Sequence, residues 1–203
     1  TVIFIRIADL SGISSKVSKE KLFSLLDRLY ESFSVLAKKN GVFRVDTAGD
    51  TWMGVTNCDT DQSYSHASVM VSFALAIIKV ASETLVDQQN FELGFVKILC
   101  GLHSGPVVSH VIGSLGNPRF ALFGDTVNLA ARLLSGVESK PGLVLCSEES
   151  AKLIQEQSPD SFETSLMRPG GDVYWVNEKG MRARAAIDRV HAKRRLRFLR
   201  AEM

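Results

Sequence analysis

Hydrophobic and polar positions along the chain change period several times, and each change predicts an element. Residues 2–8 are apolar apart from Arg6, the pattern of a central strand covered on both faces. Behind a short polar stretch, Leu22, Leu25, Leu26, Leu29, Phe33 and Leu36 recur at helical spacing. Ser18 is suited to cap that helix, Glu20 lies in its first turn, and Lys38, Lys39, Asn40 and Gly41 end it. Residues 43–55 place two apolar arms around the tight polar centre Thr47-Ala48-Gly49-Asp50, which reads as a hairpin. After a turn-rich segment, residues 66–82 form a second helix with Met70, Phe73, Ala74, Ile77 and Ala81 on its core side. Residues 94–100 and 106–112 read as strands separated by the turn Gly101-Leu102-His103-Ser104-Gly105. A glycine-bearing loop at 113–118 and a short strand at 120–123 precede a third helix, with Asp125 or Thr126 as its cap. A strand at 143–146, a helix from Ser147 to 154, and strands at 162–166 and 173–176 complete the pattern.

The order β-α-β-β-α-β, followed by further mixed elements, predicts an α+β fold. We expect a ferredoxin-like βαββαβ core with additional strands and helices, its antiparallel sheet carrying helices on one side. No internal repeat and no boundary occurs before about residue 177. Residues 1–176 therefore form one domain, and 177–203 a helical extension.

Composition narrows the class. A chain of 203 residues, 45% hydrophobic and 23% charged, is that of a globular protein with a sizeable core. No apolar run approaches the roughly 20 residues that span a bilayer, and no signal peptide opens the chain. Thr1 stands directly before a strand, so we expect a domain cut from a longer protein, with regulatory or membrane segments upstream and a cytoplasmic location. The three cysteines, Cys58, Cys100 and Cys146, have no metal-ligand spacing and read as reduced, buried thiols. The net charge of +2 is uneven: residues 177–203 hold nine Lys/Arg against three Asp/Glu, +6, which leaves −4 on the body. That tail reads as a solvated helix, with docking to an acidic partner or membrane surface as the alternative, and no nucleic-acid function is assigned to it.

Candidate chemistry rests on two aspartates. Asp9 ends the first strand and Asp50 stands at the hairpin tip. If those strands are neighbours, two carboxylates converge, a pair suited to hard cations that keep phosphate oxygens as further partners. As isolated residues they serve equally as a strand-end cap and a turn former. Asn128 and Arg132, four apart, share a helical face and can hold a sugar oxygen and a phosphate. His103 offers a ligand or base, or a structural turn residue.

Four stretches together resemble the catalytic domain of class III nucleotidyl cyclases, the adenylyl and guanylyl cyclases. They are Asp9-Leu10-Ser11-Gly12-Ile13-Ser14, Thr47-Ala48-Gly49-Asp50, Gly101-Leu102-His103-Ser104-Gly105-Pro106-Val107-Val108, and Phe123-Gly124-Asp125-Thr126-Val127-Asn128-Leu129-Ala130-Ala131-Arg132. The resemblance implies that Asp9 and Asp50, with the Leu10 carbonyl, hold two Mg²⁺ or Mn²⁺. It implies that Leu10, Ser11, Gly12, Ile13 and Ser14 cradle the β- and γ-phosphates, with Gly49 beside the metal-bound nucleotide. Asn128 then orients the ribose and Arg132 stabilises charge on the α-phosphate, while the 3′-hydroxyl displaces pyrophosphate. The family's sites form between subunits, so a head-to-tail homodimer acting on a nucleoside triphosphate in intracellular signalling is implied.

Three positions depart from the family pattern. The first base-selecting position, Lys in adenylyl and Glu in guanylyl cyclases, is Asp46, an acceptor that suits guanine and repels adenine N1. The second, Asp for adenine or Cys for guanine, is Ala121. A triphosphate lysine is absent from Ser165-Leu166-Met167-Arg168-Pro169-Gly170-Gly171, where Arg168 is the substitute. GTP is the expected substrate, with ATP as the alternative. The other class of reading is a weakly active or inactive cyclase-like domain that binds nucleotide and regulates a partner.

Overall fold

The computed structural model describes residues 1–45, 50–114, 116, 118–136 and 140–179. In chain order the elements are β1 (Val2–Ile7), α1 (Leu10–Ser14), α2 (Lys19–Asn40), β2 (Phe43–Val45), β3 (Thr51–Val55) and α3 (His66–Glu83). There follow β4 (Ile98–His103), β5 (Val108–Ile112), β6 (Arg119–Phe123), α4 (Asp125–Ser135), β7 (Val144–Ser147), α5 (Glu148–Gln157), β8 (Phe162–Leu166) and β9 (Val173–Glu178). Seven strands form one sheet in the order β2-β3-β1-β4-β7-β9-β8, and β5 and β6 pair as a separate ribbon. The β2-β3-β1-β4 half, with α2 and α3 as its connections, is the expected ferredoxin-like core.

β1 sits between two antiparallel neighbours. Val2 lies opposite Val55 and His103, and Arg6 opposite Thr51 and Leu99. Its alternate side chains feed two cores, which explains its continuous apolar run. Ile3, Ile5 and Ile7 join Leu25, Leu29 and Phe33 of α2, Met70, Phe73 and Ile77 of α3, and Ile154 of α5. Val2 points the other way, into a cluster with Val45, Met53, Val55, Leu122 and Ala130.

That second cluster corrects the expectation of helices on one side, because α4 packs on the face opposite α2, α3 and α5. Gly101 permits this: a Cβ there would stand 2.5 Å from Leu134 N and 2.9 Å from Ala130 O. The sheet is also mixed, since β4 and β7 run parallel. β4 extends through His103, so Gly101, Leu102 and His103 are strand residues rather than a turn. Glycine misled the periodicity because its role there is to admit a helix, not to bend the chain.

The ends of α2 and the start of α5 follow the local chemistry, and the start of α4 does not. Ser18 Oγ accepts from Lys21 N at 3.4 Å, and Gly41 closes α2 at φ 66°, a left-handed conformation that glycine adopts without strain. Ser147 caps α5. At α4 neither Asp125 nor Thr126 is the cap: Gly124, at φ 130°, takes that place, and the Thr126 hydroxyl donates to Pro106 O at 2.7 Å.

Among the described residues, α3 is the one helix long and apolar enough to cross a membrane, and its Met70, Phe73 and Ile77 are core residues here. β9 continues to Glu178, two residues past the expected end of the domain. The remainder of the basic tail, 180–203, lies outside the described residues.

Candidate active site

Asp9 and Asp50 stand at adjoining strand ends. The β1–β3 register pairs Arg6 with Thr51, and one further step sets Ile7 beside Asp50. Asp9 is exposed and follows within two residues; Asp50 is half-buried. Ala8 N still donates to Lys97 O at 2.8 Å, so pairing with the chain before β4 holds the strand end up to the residue before Asp9.

The segment after Asp9, expected as a polar loop, is the single helical turn α1. Asp9 caps it in a left-handed conformation (φ 54°, ψ 41°), accepting from Gly12 N at 3.2 Å. Aspartate tolerates this backbone because its short side chain bonds locally. Gly12 leaves the space that the carboxylate fills: a Cβ there would collide with both Asp9 carboxylate oxygens. The Ser14 and Ser15 hydroxyls turn back to the carbonyls of Ser11 and Gly12, at 2.8 and 2.9 Å.

Asp50 has an anchor that pattern reading missed. Tyr30, from α2, donates its hydroxyl to the Asp50 carbonyl at 3.0 Å. Burial, and then the Asp50 charge, push the phenol pKa up, so Tyr30 stays a neutral donor. Tyr30 follows Leu29 of the helical stripe, and only the fold shows where its hydroxyl goes. Asp46 and Gly49 lie outside the described residues.

Asn128, Arg132 and Ala121 stand on other elements, and Arg168 follows β8. Asn128 and Arg132 are exposed on α4, on the second face of the sheet. Ala121, half-buried, lies in β6, whose neighbour Phe120 packs on Phe43 with ring centroids 4.8 Å apart. Arg168 is exposed in the turn after β8, where Gly171 N donates to its carbonyl at 3.1 Å. Register places that turn at the far end of the sheet: Leu166 pairs with Tyr174, and Ser147 with Val173. Ser147 ends β7, which runs parallel to β4, whose own end His103 pairs with Val2 rather than Ile7. Arg168 is thus separated from Asp9 and Asp50 by the strand length and by three strands.

The donor set at Asp9 and Asp50 fits a hard divalent cation. It consists of carboxylates at an open strand end, with one Asp9 oxygen engaged by a backbone N–H and glycine holding the space clear. Among the described residues no group of three or more His, Cys, Asp and Glu forms a metal cluster. Any ion held there needs oxygens from substrate or solvent as well.

His103 is structural. Its Nδ1 lies 2.6 Å from Ser147 Oγ, the ring is buried, and burial holds its pKa below 6.5 despite Glu149 at 3.9 Å. The buried thiols of Cys100 and Cys146 have pKa values pushed well up, which leaves them unreactive.

Known proteins resemble the chain in sequence and in fold. Receptor-type guanylate cyclase gcy-5 of Caenorhabditis elegans is 32% identical over 165 residues, covering 81% of this chain. The chain spans only 14% of that relative's length. The guanylate cyclase domain of RhGC from Catenaria anguillulae, solved in complex with GTP, superposes with a TM-score of 0.72 at 32% identity, covering 87% of this chain and 94% of that one. An atypical dimeric form of the guanylyl cyclase domain of the RhoGC fusion protein from Blastocladiella emersonii gives 0.74 at 32% identity, with the same coverages. The family model for the adenylate and guanylate cyclase catalytic domain matches residues 1–176, and the chain belongs to that family.

Proposed function

We propose that this cyclase domain converts GTP to 3′,5′-cyclic GMP and pyrophosphate, in a homodimer whose sites each draw on both subunits. The observation that supports the reading is that Asp9 and Asp50 follow and precede neighbouring strands, β1 and β3, at one end of the sheet, while Arg168 lies at the opposite end. Asp9, Asp50 and the Leu10 carbonyl are the groups that hold two divalent cations. Divalent ions held by these groups would make the ribose 3′-hydroxyl more acidic and offset the triphosphate charge. The protein's own residues supply position and charge. Backbone N–H groups of residues 10–14 take the β- and γ-phosphates. The second subunit brings Asn128 to the ribose, Arg132 to the α-phosphate and Arg168 to the triphosphate. The 3′-oxygen then bonds to the α-phosphorus in line, and the bond to the pyrophosphate oxygen breaks.

Exposed apolar side chains support the dimer. Val108, Ile112 and Phe123 are exposed on one face of the β5–β6 ribbon, and Leu129 is exposed on α4; a second copy would cover them. Guanine is favoured by Asp46 in the sequence and by the guanylate cyclases among the relatives; ATP is the alternative. We assign the domain to the cytosolic side, within a longer regulated protein.

The test is product formation by purified protein with GTP and ATP in Mn²⁺, product identified by mass. Asp9→Asn and Asp50→Asn each abolish turnover while the fold survives; unchanged turnover in both removes the proposed metal site. Arg168 in place of a lysine and Ala121 at a base-selecting position favour the second reading, a nucleotide-binding regulatory domain. Nucleotide binding without product at high Mn²⁺ would establish that one.

A further inference from the structure

The β5–β6 ribbon has two unlike faces. In an antiparallel pair, residues directly opposite one another share a face, with Cβ atoms about 4.5–5.5 Å apart. Ser109 pairs with Leu122 and Val111 with Phe120, and the β6 residues of this face pack onto the second core cluster. The other face holds the pairs Val108–Phe123, His110–Ala121 and Ile112–Arg119. Val108, Phe123 and Ile112 are 67%, 51% and 44% exposed. In the proposed dimer this strip is covered by the second copy and the purine.

His110 stands in the middle of that strip, directly across from Ala121. A side chain at position 121 that selects adenine by a carboxylate must accept from the 6-amino group, adenine's one exocyclic donor. On the family resemblance, position 121 would therefore face the purine 6-position, where guanine carries an oxo group. Ala121 presents only a methyl there. The nearest cross-strand side chain is an imidazole, which has one N–H donor and one acceptor when neutral. Covered by apolar neighbours, that ring needs a hydrogen-bond partner, or its burial is unfavourable.

We propose that His110 is a specificity-determining residue: its ring N–H donates to the 6-oxo group of guanine, supplying the contact that Ala121 lacks. The inference rests on the reading that GTP is the substrate and that Ala121 borders its base. It makes the two ribbon strands, rather than one position, the reader of the purine edge.

The experiment compares kcat/KM for GTP and for ATP, with Mn²⁺, in the full chain carrying His110→Ala, His110→Phe, His110→Asn or Ala121→Asp. Sedimentation and thermal unfolding confirm that each variant is a folded dimer. His110→Ala and His110→Phe should each lower kcat/KM for GTP about five- to tenfold, the weight of one hydrogen bond, and leave ATP within about twofold. His110→Asn, which keeps a donor, should recover most of the loss. Phenylalanine retains the size of the ring, so it reports on the hydrogen bond where alanine weakens the dimer. If Ala121→Asp moves the GTP/ATP ratio while the alanine and phenylalanine variants leave it within about twofold, the proposal is overturned and the base-site reading stands. If Ala121→Asp also leaves the ratio unmoved, the base-site reading itself fails and takes the proposal with it.

Discussion

Asp9 does two jobs at one point, and the two constrain each other. Its side chain caps α1 through Gly12 N, and its left-handed backbone turns the chain out of β1, which leaves the carboxylate exposed at the sheet end. Gly12→Ala would put a Cβ where that carboxylate sits. We expect divalent affinity, measured by Mn²⁺ titration with electron paramagnetic resonance, to fall about 10- to 100-fold. Tyr30 acts on Asp50 by a different route, through the backbone. Tyr30→Phe removes one hydroxyl-to-carbonyl hydrogen bond, worth about 1 kcal/mol, and should raise the Mn²⁺ needed for half-saturation about three- to tenfold. The ring still packs against Phe33, with centroids 6.0 Å apart, so the melting temperature should move by only a few degrees. Asp9 and Asp50 became candidates in the sequence through the four stretches that resemble the cyclase catalytic domain; alone, each serves equally as a cap or a turn residue. Tyr30 did not become one, because nothing local distinguishes a tyrosine that anchors a site from one that fills a core.

The packing of α4 on β4 decides which face of the sheet carries Asn128 and Arg132. Gly101 is where the two touch, so Gly101→Ala should force the helix away from the strand. The expected cost is about 1–3 kcal/mol, with a fall in melting temperature of roughly 3–10 °C by thermal unfolding. Periodicity placed α4 correctly but could not choose its face, because an exposed helix stripe and a half-buried one have the same spacing. At the far end of β4, His103 is held neutral by burial against Ser147. The unfolded chain takes up a proton there as pH falls through 6.5, and the native chain does not until lower pH. Stability should therefore be lost below that value, and His66, shifted the same way by burial, adds to the slope. A His103→Gln chain should show a shallower fall in melting temperature between about pH 7 and pH 5.

Across the whole molecule, the register separates the two carboxylates from Arg168. Asp9 and Asp50 lie at the β1–β3 end and Arg168 at the other end of the sheet, which is why the proposed site draws on two subunits. Mixed dimers test this directly. Asp50→Asn and Arg132→Ala chains, each inactive alone, should regain roughly a quarter of the wild-type turnover when mixed, from one intact site in half of the dimers. No recovery in verified mixed dimers would leave the shared site without support.

By itself the sequence determined the order of elements, the ferredoxin-like core, the helix caps at Ser18 and Ser147, and the carboxylate and Asn/Arg candidates. Each of these depends on interactions within a few residues or on a period along one element. Tertiary structure alone decided the placement of α4 on the second face, the end of the sheet at which each candidate stands, the hydroxyl on Asp50, and the neighbour across from Ala121. These are set by strand register and by close packing between distant segments, where a single glycine or a one-residue slip changes which side chains meet.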